Sequence, residues 1–307
     1  MVSAPYMQPV IDRFRPVFEK HDLEIVLPEV HERMEETQLL EWVGDIDGAI
    51  CGDDRFTERV MKAAPKLKVI SKWGTGIDSI DQEAAARLGI AVCNTPGAFT
   101  HPVSDSVLGY ILCFARKIPW MTQDIKAGRW TKIPGVSLRE SCLGVIGVGD
   151  VGRAVIRRAA AFGMRILATD PVSPPQDFLD TSGVEMVSKT QLLQEADFVS
   201  LNCTLNQSSH HIISSAELKM MKSTAFLINT ARGPLIDEDA LVIGLQNDEI
   251  AGVGLDVFEV EPLPKDSLLR KMDNVLLAPH NSNSSPEAWE RVHHNTIQNL
   301  VKVLNNA

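Results

Sequence analysis

Short, continuous apolar runs alternate with longer segments of helical periodicity from one end of the chain to the other. In the first third the runs are EIVLP, GAICG, KVISKW and IAVCN. Later come CLGVIGVG, RILATD, FVSLNC, AFLINT, AGVGLDVF and NVLLAP. Between them lie helix-like segments at 103–117, 151–162, 189–195, 215–221 and 237–246. Strands that are apolar on both faces and separated by helices predict parallel sheets covered on both sides, an α/β protein. The spacing of the repeats is irregular, which excludes a solenoid.

The alternation breaks once, at RKIPWMTQDIKAGRWTKIPG, before a new strand starts at Cys142. Two Rossmann-like domains are therefore expected, each a parallel sheet flanked by helices. One comprises 1–103 plus 284–307 and the other 104–283. The last segment has Trp289, Val292, Ile297, Leu300, Val301 and Leu304 at helical spacing and is long enough to cross back to the first domain. The interrupting segment carries Trp120 and Trp130. Two readings stand for them: packing on a second subunit of a homodimer, or burial against the same chain.

Composition narrows the partners. Thirty Lys and Arg against 40 Asp and Glu leave a net charge of −10, which argues against nucleic acid or an anionic membrane surface. The longest apolar stretches reach about half of what a membrane span needs. Five widely spaced cysteines form no CxxC pair, so neither a disulfide framework nor a zinc site is expected. No basic start followed by an apolar stretch marks a secretory signal. A soluble, cytoplasmic protein is the expectation.

The sharpest motif is Gly147-Val148-Gly149-Asp150-Val151-Gly152, a G-x-G-x-x-G pattern. It follows a buried-strand run and opens a helix, and the next strand ends in Asp170, 18 residues after Gly152. That context belongs to a dinucleotide fingerprint. The glycines let the backbone turn tightly and approach a pyrophosphate, whose charge meets the helix N-terminus. Asp170 would accept the ribose hydroxyls. A carboxylate there repels a 2′-phosphate, and Pro171-Val172 supplies no arginine to bind one, so NAD is expected over NADP. A second glycine stretch, KWGTGIDSID, lacks the third glycine. It reads either as an anion nest for a small carboxylate or as a plain tight turn.

Later strand ends each deliver one reactive side chain: Arg232 after FLINT, Asp256 with Glu261 after GVGL, and His280 after NVLLAP. In doubly wound sheets ligands bind outside the carboxyl ends of the strands. Taken singly, each residue has an ordinary explanation as a surface ion pair or a loop residue. Together, at consecutive strand exits, they suggest a site. The adjacent pairs His210-His211 and His293-His294 suit no metal and read as solvated or structural.

With these motifs in order, the sequence resembles the D-isomer-specific 2-hydroxyacid dehydrogenases, phosphoglycerate dehydrogenase-like. The resemblance runs over nearly the whole chain through GTGID, NTPG, LGVIGVGDVGR, DFVSLNCTLN, INTARGPLIDEDAL, GLDVFEVEP and APH. It implies an active site in the cleft between the two domains and hydride transfer between NAD and C2 of a small D-2-hydroxy or 2-keto acid. Arg232 then resembles the arginine that binds the substrate carboxylate and polarises the C2 oxygen. His280 resembles the general acid–base, and Glu261 its carboxylate partner. Asp256 resembles the residue on the carboxamide side of the nicotinamide, and Thr75 and Gly76 the nest for the substrate carboxylate. Cys203, Thr204, Thr230 and Ala231 resemble positions lining the cofactor. Chemistry agrees: a carboxylate stabilises an imidazolium, and arginine offers a planar, permanently charged fork.

Lys72 stands two positions before the G-T-G turn, where phosphoglycerate dehydrogenase-like proteins often carry a basic residue. This makes a phosphate-bearing substrate such as 3-phosphoglycerate one reading and glyoxylate or hydroxypyruvate another. Departures from the family pattern are the polar NSNSS after His280, Val103-Ser104-Asp105, and Asn202. Glu261 speaks against a formate dehydrogenase, where glutamine usually partners the histidine. No C-terminal regulatory domain is expected after the closing helix. Rival classes are an NAD-sensing corepressor-like scaffold and a catalytically silent dinucleotide-binding module.

Overall fold

The computed structural model describes residues 1–306. The chain divides into two compact units, Met1–Phe99 with the segment from Ser285 onward, and Thr100–Ser284. The helix Thr100–Arg116 lies whole within the second unit, so the division falls at 99/100 and 284/285.

The first unit holds a parallel three-stranded sheet in the order β1-β2-β3: β1 (Gly48–Cys51), β2 (Val69–Lys72) and β3 (Ala91–Cys93). Every residue of β1 and β2 is buried, as expected for strands covered on both faces. EIVLP forms no strand. Val2 takes the place beside β1 instead, bridging Ile50 and donating its N–H to the Val26 carbonyl. One bridge is too little to order a fourth strand.

The closing helix Pro286–Asn305 starts where the Ser285 side chain caps Ala288 N, a hydroxyl satisfying one of the orphan donors of the first turn. It packs on all three strands with Ala288, Val292, His293, Thr296, Ile297 and Leu300 buried. The spacing is that of an amphipathic helix. At its N-terminal end Trp73 meets Tyr6, Phe99, Trp289 and His293. Trp73 Nε1 donates to His293 Nδ1 at 3.0 Å. Burial holds the His293 imidazole below its ordinary pKa. So His293 is a structural acceptor, and it is neutral because a charged ring could not take that bond.

The second unit holds a seven-stranded, all-parallel sheet. Its strands are β4 (Cys142–Ile146), β5 (Arg165–Thr169), β6 (Glu185–Met186), β7 (Phe198–Leu201), β8 (Phe226–Asn229), β9 (Gly252–Leu255) and β10 (Val275–Leu277). Their order is β10-β9-β8-β7-β4-β5-β6. The chain leaves β4 in one direction, returns through β7 on its other side, and so creates a topological switch point between them. The exposed, two-residue β6 carries no apolar run, so nothing in the sequence announced it.

Helix Thr100–Arg116 buries Val107, Leu108, Ile111, Phe114 and Ala115 against helix Asp150–Ala161 and β8. Phe114 stacks on Phe226 at 4.5 Å between centroids. The segment after it forms the helix Ile118–Lys126. There Trp120 packs on Phe114 and donates Nε1 to the Asp273 carbonyl at 2.8 Å. Trp130 is 86% exposed. The two tryptophans therefore part company: one is an anchor within its own unit, the other faces solvent. No helix among the described residues is long and apolar enough to cross a membrane. No group of three His, Cys, Asp or Glu among them could hold a metal ion.

Candidate active site

The glycine loop lies at the switch point. Gly147 has φ +94°, and a Cβ there would meet Cys203 N at 2.5 Å. A Cβ on Gly152 would fall 2.0 Å from the Gly147 carbonyl oxygen. The first contact presses the loop against the β7 exit, and the second presses helix Asp150–Ala161 against the loop. Only glycine allows either approach. A Cβ on Gly149, by contrast, would meet nothing within 4 Å, so that face of the loop is open beside the helix N-terminus.

Asp170, at the end of β5, accepts Val148 N at 2.6 Å and Val172 N at 2.8 Å, one on each oxygen. The carboxylate thus holds the loop in shape as well as presenting charge there. Asp150 begins the helix and pairs with Arg153 at 2.7 Å. Val151 is half-buried behind it.

The neighbouring strand ends fit a dinucleotide. Asn202 and Thr230 follow the paired residues Leu201 and Asn229. Asn202 Oδ1 and Thr230 Oγ1 are buried with no hydrogen-bond partner among the described residues. Buried orphan polar atoms are rare, and two side by side are atoms that a ligand would satisfy. Cys203 is half-buried, and burial pushes its thiol up to about 11, so it is no nucleophile. Thr204 is exposed and Ala231 half-buried.

Arg232, Asp256 and His280 leave the three adjacent strands β8, β9 and β10. The Arg232 turn is fixed by Asn229, which is fully buried. Its Nδ2 donates to the Arg232 carbonyl at 2.8 Å and its Oδ1 accepts Ala231 N at 3.0 Å. Gly233 follows because a Cβ there would lie 1.9 Å from the Phe258 carbonyl carbon. The Arg232 side chain is half-buried, with Nη1 donating to the Ala231 carbonyl at 2.8 Å.

His280 Nδ1 meets Glu261 Oε2 at 2.9 Å, with the side chains 22% and 18% exposed. An ionised carboxylate only accepts, so Nδ1 carries the proton. Glu261 Oε1 accepts Phe258 N at 2.9 Å, which leaves the carboxylate little freedom to turn. His280 itself has φ +49°, a left-handed conformation costly for a residue with a side chain and typical of functional sites.

Asp256 explains how that conformation is held. It is 1% exposed, and its two oxygens accept Asn281 N and Ser282 N, each at 2.8 Å. Its carbonyl accepts His280 N at 2.7 Å. The polar stretch after His280 is thus tied to a buried carboxylate. Sequence reasoning assigned Asp256 to the cofactor and missed this anchoring. It also missed Asn229; the one signal was a polar residue closing an otherwise apolar strand.

In the first unit the turn at Gly74–Gly76 is tied to the β3 exit. Thr95 donates both N–H and Oγ1 to the Gly74 carbonyl, each at 2.9 Å. Asn94 Nδ2 donates to the Thr75 carbonyl at 2.6 Å. Among the described residues, the Thr75 and Gly76 N–H groups have no acceptor, as an anion nest requires. Lys72 is different. It is only 3% exposed, and its Nζ is paired with Asp53 at 2.8 Å. It closes the central strand of the sheet, so its stem is covered on both faces, and the charge expected for a substrate phosphate is already neutralised.

Comparison with known proteins gives this arrangement its kin. Residues 108–282 match the family model of the D-isomer specific 2-hydroxyacid dehydrogenase NAD binding domain. A hydroxypyruvate reductase of Thermotoga maritima is 38% identical over 291 residues, 93% of this chain and 92% of that protein. A D-3-phosphoglycerate dehydrogenase of Methanocaldococcus jannaschii is 39% identical over 280 residues, 90% of this chain and 53% of that one. The crystal structure of D-lactate dehydrogenase from Aquifex aeolicus, complexed with NAD and lactic acid, superposes with a TM-score of 0.89 at 26% identity, covering 99% of this chain and 95% of that one. Sequence and sheet order thus converge: the chain belongs to the D-isomer specific 2-hydroxyacid dehydrogenases and is an NAD-dependent oxidoreductase.

Proposed function

We propose that this protein reduces a small, unphosphorylated 2-keto acid of the glyoxylate or hydroxypyruvate kind, with Arg232, His280 and Glu261 as its working residues. The observation that carries the reading is the His280–Glu261 pair at 2.9 Å, on a loop whose strained backbone is held by buried Asp256. NAD in its reduced form, when bound, supplies the hydride. Arg232 grips the carboxylate with its planar fork and draws charge onto the C2 oxygen. His280 delivers its Nε2 proton to that oxygen, while Glu261 keeps the Nδ1 proton in place and stabilises the imidazolium. Thr75 and Gly76 receive the substrate carboxylate on their backbone N–H groups. Asn202 and Thr230 join Gly147, Gly149, Gly152 and Asp170 on the cofactor.

The pairing of buried Lys72 with Asp53 favours an unphosphorylated substrate over 3-phosphoglycerate, because no unspent cation stands ready there. The proposal includes a homodimer, supported by exposed Ile118, Ile125, Trp130 and Val136 on one segment. It includes a cytoplasmic location, supported by five unpaired cysteines. NADH oxidation against a panel of 2-keto acids tests the reading. Turnover with hydroxypyruvate or glyoxylate supports it. Intact NADH binding with no turnover on any 2-keto acid replaces it with the scaffold class.

A further inference from the structure

The second unit holds another histidine–carboxylate pair close to the first in the chain. Of the adjacent His210 and His211, the former is exposed and the latter half-buried, with their ring centroids 3.9 Å apart. His211 Nε2 meets Glu259 Oε1 at 2.5 Å, the side chains being 34% and 32% exposed. Glu259 stands two residues before Glu261, on the loop that leaves β9. His211 N donates to the Pro234 carbonyl at 2.8 Å, two residues after Arg232 on the turn that leaves β8. One histidine thus holds the Arg232 turn by its backbone and the Glu261 loop by its ring.

Those two segments already press on each other. A Cβ on Gly233 would lie 2.4 Å from Glu259 N, and Glu259 N donates to Glu238 Oε2 at 3.2 Å. Glu261 Oε1 takes Phe258 N, so the Glu261 carboxylate is fastened to its own loop and moves with that loop as a body. A partly exposed ion pair contributes little to stability and needs no strained backbone. His211 nevertheless has φ +51°, a left-handed conformation that persists only where its surroundings over-determine it. Its ring also offsets a crowding of charge. Burial pushes the Glu238 carboxyl up, and the charges of Glu259 and Asp239 add to that push while the Glu259 N–H opposes it.

We infer that His211 and Glu259 are a positioning pair: the His211 ring fixes the Glu259 end of the β9 loop and thereby sets Glu261 against His280 Nδ1. This rests on the reduction of 2-keto acids proposed above, and it adds the residues that hold the carboxylate partner of the general acid in place. His211 and Glu259 act through Glu261 and take no part in the proton transfer themselves.

The test measures kcat and KM with the best 2-keto acid of the panel, alongside Tm, in the wild-type protein and in variants of the pair. Glu259→Ala removes the acceptor. His211→Asn loses the reach to Glu259 but tolerates a left-handed backbone as histidine does, so the bond to Pro234 is kept. Glu259→Gln keeps an oxygen for His211 Nε2. Glu259→Ala and His211→Asn should each lower kcat about tenfold or more, since a displacement of about 1 Å at a reacting group costs on the order of 100-fold. KM should stay within about threefold, because the Arg232 turn keeps its own bonds. Tm should fall by no more than about 4 °C, as the loss of one partly exposed ion pair warrants. Glu259→Gln should keep kcat within about threefold of wild type, a rescue by hydrogen bonding alone. Combining Glu259→Ala with His211→Asn should cost no more than either alone, the mark of two residues acting as one. Wild-type kcat in both Glu259→Ala and His211→Asn overturns the inference and leaves the parent reading standing. So does a loss in Glu259→Gln as large as in Glu259→Ala, or a loss of rate accounted for by unfolded protein. A wild-type protein silent on every 2-keto acid overturns the parent reading and this inference with it.

Discussion

Replacing Asp256 by asparagine separates anchoring the catalytic loop from binding the cofactor. In the wild-type protein both oxygens of this buried carboxylate take backbone N–H groups at 2.8 Å. Asparagine keeps one oxygen and turns an NH2 toward the other donor. One charge-assisted bond is lost, worth about 1.5–3 kcal/mol, and a buried N–H is left unpaired, at about 1–3 kcal/mol more. A total of about 2.5–6 kcal/mol is expected from these two terms. For a unit of this size that lowers Tm by about 5–24 °C, readable by calorimetry. The loop would also drift, and a displacement of about 1 Å at a reacting group costs on the order of 100-fold in kcat. NADH affinity, proposed to rest on the glycine loop after β4, three strands away from β9, should stay within about threefold of wild type, a shift of less than 1 kcal/mol. An unchanged Tm would refute the anchoring argument. A large loss of NADH affinity at unchanged Tm would assign Asp256 to the cofactor instead.

Gly152→Ala places a Cβ 2.0 Å from the Gly147 carbonyl oxygen, so the loop must open; fluorescence titration should show NADH binding weakened more than about tenfold, or 1.4 kcal/mol. Asp170→Ala removes the acceptor of Val148 N and, on the proposed placement of Asp170 at the ribose, the charge set against a 2′-phosphate, so the preference for NADH over NADPH should narrow. An unchanged preference would remove Asp170 from the ribose site. The first unit should lose stability in acid through His293. Its pKa is held down by burial, so below pH ~6.5 the unfolded chain binds a proton that the folded chain refuses. His293→Gln should flatten that part of the Tm-versus-pH curve. A slope that persists in the variant would place the acid sensitivity elsewhere.

The sequence disclosed what repeats and what is chemically rare. Buried parallel strands read as unbroken apolar runs, and the three residues Arg232, Glu261 and His280 stood out because charged groups at consecutive strand exits have few dull explanations. It disclosed less where meaning depends on neighbours distant in the chain. EIVLP has the composition of a strand, yet pairing was needed to make it one, and Val2 had already taken the place beside Ile50. Lys72 looked like a ready cation because its partner Asp53 lies 19 residues upstream. The polar NSNSS read only as a departure from the family pattern, and nothing in it showed that Asp256 holds the backbone of its first two residues. Asn202, noted only as unusual, gained significance beside Thr230 across the sheet. Residue type and spacing identify groups capable of chemistry; only packing reveals which of them are already spent.

The most direct test of the central claim is the rate of NADH oxidation with hydroxypyruvate, measured for the wild-type protein and for His280→Gln under the same conditions. The account predicts steady turnover by the wild-type protein and a loss of about 100- to 10,000-fold in the variant, the usual worth of a positioned general acid, with NADH affinity retained. A variant within about threefold of the wild-type rate, well short of the smallest loss expected of a general acid, would contradict the role of His280 as the proton donor.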